Sequence, residues 1–287
     1  MKKIDSVLPM TVWPLKQLNS NLPAITTQLQ RVPKVTRMLF ALWLVSMIAL
    51  PLVNLGGSEL ALVFAVGSNV FIQAALVLTV LAQAWGVERT AWVAAVVVFS
   101  TWAIEAIGTA TGLPFGLYHY TDKLQPQLAH VPLIIPLAWL IMLPPAWAIA
   151  YRANRSRYGF PFILFSGLAL TAWDLFIDPQ MVGWGFWVWD QPGGYFGIPW
   201  LNFFGWALSG AVITAIIKPK NLPVMPLLLI YTIIWALQTL GLIFFWGLPG
   251  PALVGFAGMG IFVWLAWREQ KMKTRGQESG FRDSSFP

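Results

Sequence analysis

The chain has 287 residues, of which 57% are hydrophobic and 10% charged, with a formal net charge of +7. A soluble domain carries about 25% charged residues, so this composition, with mean hydropathy +0.68, places most of the chain in lipid and not on nucleic acid. With no cysteine and two histidines, His119 and His130, disulfides, iron–sulfur clusters, thiolate metal sites and histidine-rich metal centres are excluded.

In chain order, residues 1–36 come first. They carry Pro9, Pro14, Pro23 and Pro33 and no long apolar run. They read as a cytoplasmic or interfacial arm without the pattern of a signal peptide. A spanning helix needs about 20 mostly apolar residues. Eight segments meet that length, at roughly 37–55, 60–84, 91–110, 132–151, 160–178, 200–217, 224–246 and 251–267. Pro51 and the pair Pro144 and Pro145 are expected to kink their helices, which is tolerated where neighbours satisfy the freed carbonyls. Residues 269–287 read as a disordered cytoplasmic tail, which leaves 37–268 as a single transmembrane domain.

Orientation follows from Lys and Arg, which collect in cytoplasmic loops. With eight spans, seventeen of the eighteen basic residues fall on the side of the N-terminus and only Lys123 falls outside. The expected fold is therefore all-α and polytopic, with about eight transmembrane helices and both termini cytoplasmic. The acids sort the other way. Glu59, Glu105, Asp122, Asp174, Asp178 and Asp190 lie in the outer half or the outer loops.

Glu105 and Asp174 sit within apolar runs, where an acid costs about 2.5–3.5 kcal/mol on insertion scales. Such acids usually face a wet cavity or the protein interior and carry function. Asp174 and Asp178 are four apart and share one helix face. Two ionised carboxylates there repel, so one is expected to keep its proton, pairing an acid with a base. The bland alternatives are that Asp178, before Pro179, only caps a turn, and that Asp174 and Glu105 only hold packing partners. The third and fifth spans run the same way, so Glu105 and Asp174 reach one depth and their two outer loops meet.

These loops hold ordered motifs: "ExxGTxTGxPFGxYxY" from Glu105 to Tyr120, "VPLIIPLAW" from Val131 to Trp139, "WDLFIDPQM" from Trp173 to Met181, and then "GFWVWD" and "GGYFGIPWLNFFGW" up to Trp206. Together they resemble the membrane carotenoid-biosynthesis family that contains γ-carotene 1′-hydratases and bisanhydrobacterioruberin hydratases. The resemblance covers about 102–206. It implies a hydratase without cofactor or metal, adding water across the terminal 1,2 double bond of an acyclic ψ-end to give a tertiary alcohol. It also implies a carotenoid substrate, a lipid bilayer around the protein, other carotenoid-pathway enzymes as candidate partners, and a bacterial inner membrane or thylakoid as location.

The chemistry agrees with the residues. Protonating a trisubstituted alkene gives a tertiary cation, which needs a poised acid, an apolar slot, aromatic faces and one placed water. Asp174 is read as the acid, Glu105 as its partner and Asp178 as a holder of water near the mouth. Tyr118, His119, Tyr120, Trp173, Trp187, Trp189, Tyr195 and Asn202, all in the matched blocks, are the substrate-binding candidates. Two other readings share these acids: an end-group cyclase, in which a ring forms instead of a hydrated product, and a proton-coupled transporter of a lipid or amphiphile. An oxygen-dependent hydroxylase fits poorly, because di-iron membrane enzymes need many histidines and no nucleotide-binding glycine motif is visible.

Overall fold

The computed structural model describes residues 33–283, with side chains through Arg268. The expected arm therefore lies almost wholly outside the described residues. The chain divides into a short unit up to Met38 and a main unit from Leu39 onward, which holds all of the bundle apart from the first turn of its first helix.

The helices are α1 (Lys34–Leu55), α2 (Glu59–Trp85), α3 (Val87–Thr111), α4 (Ile134–Ala153), α5 (Phe160–Gly183), α6 (Trp200–Ile217), α7 (Val224–Phe244) and α8 (Pro249–Asp283). All eight are long and apolar enough to cross a membrane, α8 through its stretch Pro249–Arg268. The fold is thus that of a polytopic helical membrane protein. Beyond Arg268 the backbone stays helical to Asp283, through most of the stretch read as a tail.

The helix ends are written locally. Ser58 accepts a hydrogen bond from the Ala61 N–H at 3.2 Å and caps α2, with Glu59 in the first turn, where an acid complements the helix dipole. Gly112, at φ 78°, turns the chain left-handed after α3, a conformation that glycine adopts without strain.

Within the membrane-crossing stretches the largest departure from the expected boundaries is in α5, which runs five residues past Asp178 and contains Pro179. A proline inside a helix frees the carbonyl four residues earlier. Here that carbonyl is Leu175 O, and the Tyr195 hydroxyl donates to it at 2.8 Å. The same device recurs in α4, where Pro145 frees Ile141 O and Gln73 Nε2 donates to it at 3.4 Å. Both helices therefore continue through their prolines, and Asp178 lies inside the bundle.

Helix α4 is central, packing against α2, α3, α5, α7 and α8, and α5 packs most extensively on α6. Small residues make the α5–α6 approach close, as is usual between membrane helices. A Cβ on Gly167 would overlap the Ala207 carbonyl, and one on Gly210 would lie 3.2 Å from the Gly167 Cα.

The outer connections are not wholly irregular. β1 (Tyr118–Tyr120) pairs antiparallel with β4 (Trp187–Trp189), joining the connection after α3 to the one after α5, with Tyr118 opposite Trp189 and Tyr120 opposite Trp187. A second, shorter ribbon pairs β2 (Gln127–Leu128) with β3 (Val131–Pro132). Lys123, in the connection after α3, reaches Glu59 at 2.6 Å and the Trp184 carbonyl at 3.0 Å.

Candidate active site

A cavity of about 350 Å³ opens among helices α1 to α7 under the β1–β4 ribbon. Glu105, Asp174 and Asp178 all line it, and no Lys, Arg or His does. All three acids are buried.

Each carboxyl is held differently. The Glu105 Oε2 accepts from the Tyr118 hydroxyl at 2.5 Å and the Tyr120 hydroxyl at 2.9 Å, and its Oε1 accepts from Trp139 Nε1 at 3.3 Å. The Asp178 Oδ1 accepts from Trp187 Nε1 at 2.8 Å and Trp189 Nε1 at 3.1 Å. Its Oδ2 accepts from Asn202 Nδ2 at 2.7 Å. The other N–H of that same amide goes to Asp174 Oδ2, also at 2.7 Å. Glu105 and Asp178 thus have three donors each, while Asp174 has one. Among the described residues no cation pairs with any of them, and the network is built from neutral phenol, indole and amide donors.

The backbone explains this grouping. Asp174 and Asp178 are one turn apart on α5, and Asn202 sits in the first turn of α6, brought close by the glycine contact. In β1, alternate residues face opposite sides. Tyr118 and Tyr120 face the cavity, while His119 between them is exposed and pairs with Asp190 through Nδ1 at 2.8 Å. Burial and the neighbouring Glu105 carboxyl push the Tyr118 and Tyr120 phenols well above their usual range, so both remain donors.

Of the other candidates read from the sequence, Trp173, Trp187, Trp189 and Asn202 line the cavity. Tyr195 is buried but does not line it; its hydroxyl is spent on the carbonyl freed by Pro179. Among aromatics not singled out as substrate-binding, Trp139 stacks on Trp206 at 4.1 Å between centroids, and Trp173 meets Trp206 edge-on. This makes a wall of indole faces next to the acids. The amides Asn69 and Gln73 on α2, Gln180 on α5 and Gln238 on α7 also line the cavity.

The cavity has an outlet. Ile48 and Leu52 on α1, and Leu240 and Phe245 at the end of α7, line it and are also exposed on the outer surface of the protein. It therefore opens sideways between these helices.

Residues 62–262, well over half of the chain, match the family described as "Carotenoid biosynthesis protein". The chain belongs to that family. A stretch of 130 residues is 32% identical to the bisanhydrobacterioruberin hydratase of Haloarcula japonica, and it covers 44% of this chain and 44% of that protein. The chain thus aligns with less than half the length of that curated relative. No solved structure matches it. The carotenoid-biosynthesis match takes in α2 to α7 and most of the membrane part of α8, hence every carboxyl and every donor to a carboxyl. The α1 side of the outlet lies before it.

Two features of this family member escaped the sequence reading. Gln238 stands within a largely apolar stretch, and Gln180 follows Asp178 and Pro179. For Gln238 a polar residue on a span was the available signal, the same signal that singled out Glu105, whereas Gln180 fell beyond the expected end of its span. The separation of His119 from its tyrosine neighbours rests on a three-residue strand, too short to be read from alternation.

Proposed function

We propose that this protein is a carotenoid hydratase that adds water to the terminal 1,2 double bond of an acyclic end group. The observation that carries this is the difference among the three carboxyls. Two have three donors each and one, Asp174, has a single donor, beside a wall of indole rings in an apolar cavity. The name of the Haloarcula relative supports the same reaction class.

In this reading the Asp174 carboxylic acid gives its proton to the less substituted alkene carbon. A C–H bond forms, and the neighbouring carbon becomes a tertiary cation. The faces of Trp139, Trp173 and Trp206 stabilise that charge, by about 2 kcal/mol or more where water is excluded. Water then forms the C–O bond and gives up a proton to Glu105, whose Oε1 carries only one donor. The proton returns to Asp174, and the net change is one water added. Asp178 does not meet the substrate; it fixes Asn202, which aims Asp174.

The test is conversion of lycopene or γ-carotene by purified protein under anaerobic conditions in water labelled with heavy oxygen. The expected product gains one water, with the label in a tertiary alcohol. An alcohol without the label, or no product until dioxygen is admitted, would refute hydration, and an isomer of unchanged mass would mean end-group cyclisation.

A further inference from the structure

Two N–H groups on the cavity wall are buried without a partner: Gln180 Nε2 and Trp246 Nε1. The Gln180 side chain is buried, and its Oε1 accepts from Gln238 Nε2 at 2.9 Å, which leaves its own amide N–H groups directed to nothing. Trp246 belongs to the same patch. Its ring meets Trp184 edge-on at 5.7 Å, one turn after Gln180. Its six-membered ring lies on Gly241, one turn after Gln238, where any Cβ would overlap it. A buried donor without an acceptor costs stability, and two on one patch are a place for an oxygen.

The patch is apart from the carboxyls. At about 100° per residue, the arc of α5 that lines the cavity runs from Gln180 through Trp184, Ile177 and Met181 to Asp174 and Asp178. Gln180 and the acids are its two edges, separated by apolar side chains. They are also displaced along the helix, since six residues from Asp174 to Gln180 rise about 9 Å. Phe245, next to Trp246 in sequence, belongs to the outlet. The patch therefore lies between the outlet and the acids, where a molecule entering end-first trails its second segment.

We propose that Gln180 and Trp246 form an oxygen-acceptor subsite for the substrate itself. It takes a hydroxyl or keto oxygen carried within roughly two isoprene units of the reacting double bond, as the 9 Å rise requires. This rests on the hydratase reading for the class of substrate. It adds a preference among polyenes that the carboxyls alone do not give, because an all-hydrocarbon end leaves both donors unpaired.

The experiment is a binding titration, which needs no turnover. Purified protein in detergent is titrated with lycopene and with a lycopene analogue that carries one hydroxyl or keto group at that distance, following the polyene absorption band. The wild type is expected to bind the oxygenated analogue about tenfold more tightly, the factor for one buried hydrogen bond. Gln180→Leu combined with Gln238→Leu removes both amides as a matched apolar pair and should bring the ratio close to one. Trp246→Phe removes only the indole donor and should lower the ratio without touching the amides. Thr101→Val, at a buried hydroxyl away from the cavity, should leave it unchanged. Equal binding of the two polyenes by the wild type would overturn the subsite, the donors then being satisfied by resident water. So would a preference that survives in both variants. Binding of neither polyene would overturn the hydratase reading itself.

Discussion

One amide decides what the acids can do. Asn202 divides its two N–H groups between Asp174 and Asp178 and is a neutral tie between groups that would otherwise repel. Asp174 has no second donor, and this asymmetry gives a sharp expectation. Asp174→Asn keeps the shape and removes the transferable proton, and Glu105→Gln does the same for its partner. A positioned acid or base is worth about 10²–10⁴-fold, so each should lower turnover at least roughly 100-fold while polyene binding persists. Glu105→Gln removes a buried charge that lacks a counter-ion, and Asp174→Asn exchanges one neutral group for another, so thermal stability should be unchanged or higher. Asp122→Asn, at an exposed position, should be close to silent. Near-normal turnover in both acid variants would make these carboxyls structural.

At the scale of elements, Pro145 in α4 and Pro179 in α5 show how a helix is carried past a missing donor. In α5 the replacement is the Tyr195 hydroxyl, reaching in from the connection between β4 and α6. Tyr195→Phe should therefore leave Leu175 O unpaired and destabilise the protein by about 1–3 kcal/mol. Pro179→Ala restores the backbone N–H, so the double variant should recover most of that loss. Thermal unfolding of the four proteins in one detergent measures the coupling. Purely additive effects would show that Tyr195 matters only for packing. The arrangement also explains why this helix end was misread in the sequence. Pro179 is a local stop signal, and what overrides it is a hydroxyl sixteen residues further along the chain, which no local pattern reveals.

For the whole molecule, the number and limits of the spans were legible because hydropathy over about 20 residues decides them, and seven of the eight agree with the helices to within a few residues. The carboxyls were legible because an acid is costly in lipid. Their donors were legible only in part: Trp187, Trp189 and Asn202 lay in recognisable motifs, but which indole meets which carboxyl depends on the β1–β4 register. Sidedness rests on charge alone, with Arg152, Arg155 and Arg157 in one connection and the Gly193 region in the opposite one. Reporter fusions at Arg155 and Gly193 should give opposite signals, cytoplasmic and external; equal signals would break the eight-span arrangement.

The sideways outlet between α1 and α7 has a consequence for what the protein can measure. On the proposed function, a cavity of about 350 Å³ would hold the head of a long polyene and leave its remainder among lipid tails. The protein then works as a socket and not as a ruler: it inspects one terminus and is blind to the rest. Polyenes with the same reacting end but a shortened, lengthened or ring-closed far end should be converted with similar kcat/KM once their partitioning into the detergent or bilayer is matched. A molecule with two such ends should be released and reinserted between reactions, so the singly converted product should accumulate before the doubly converted one. A steep dependence on the far end, or direct appearance of the doubly converted product, would mean that the protein holds the whole chain.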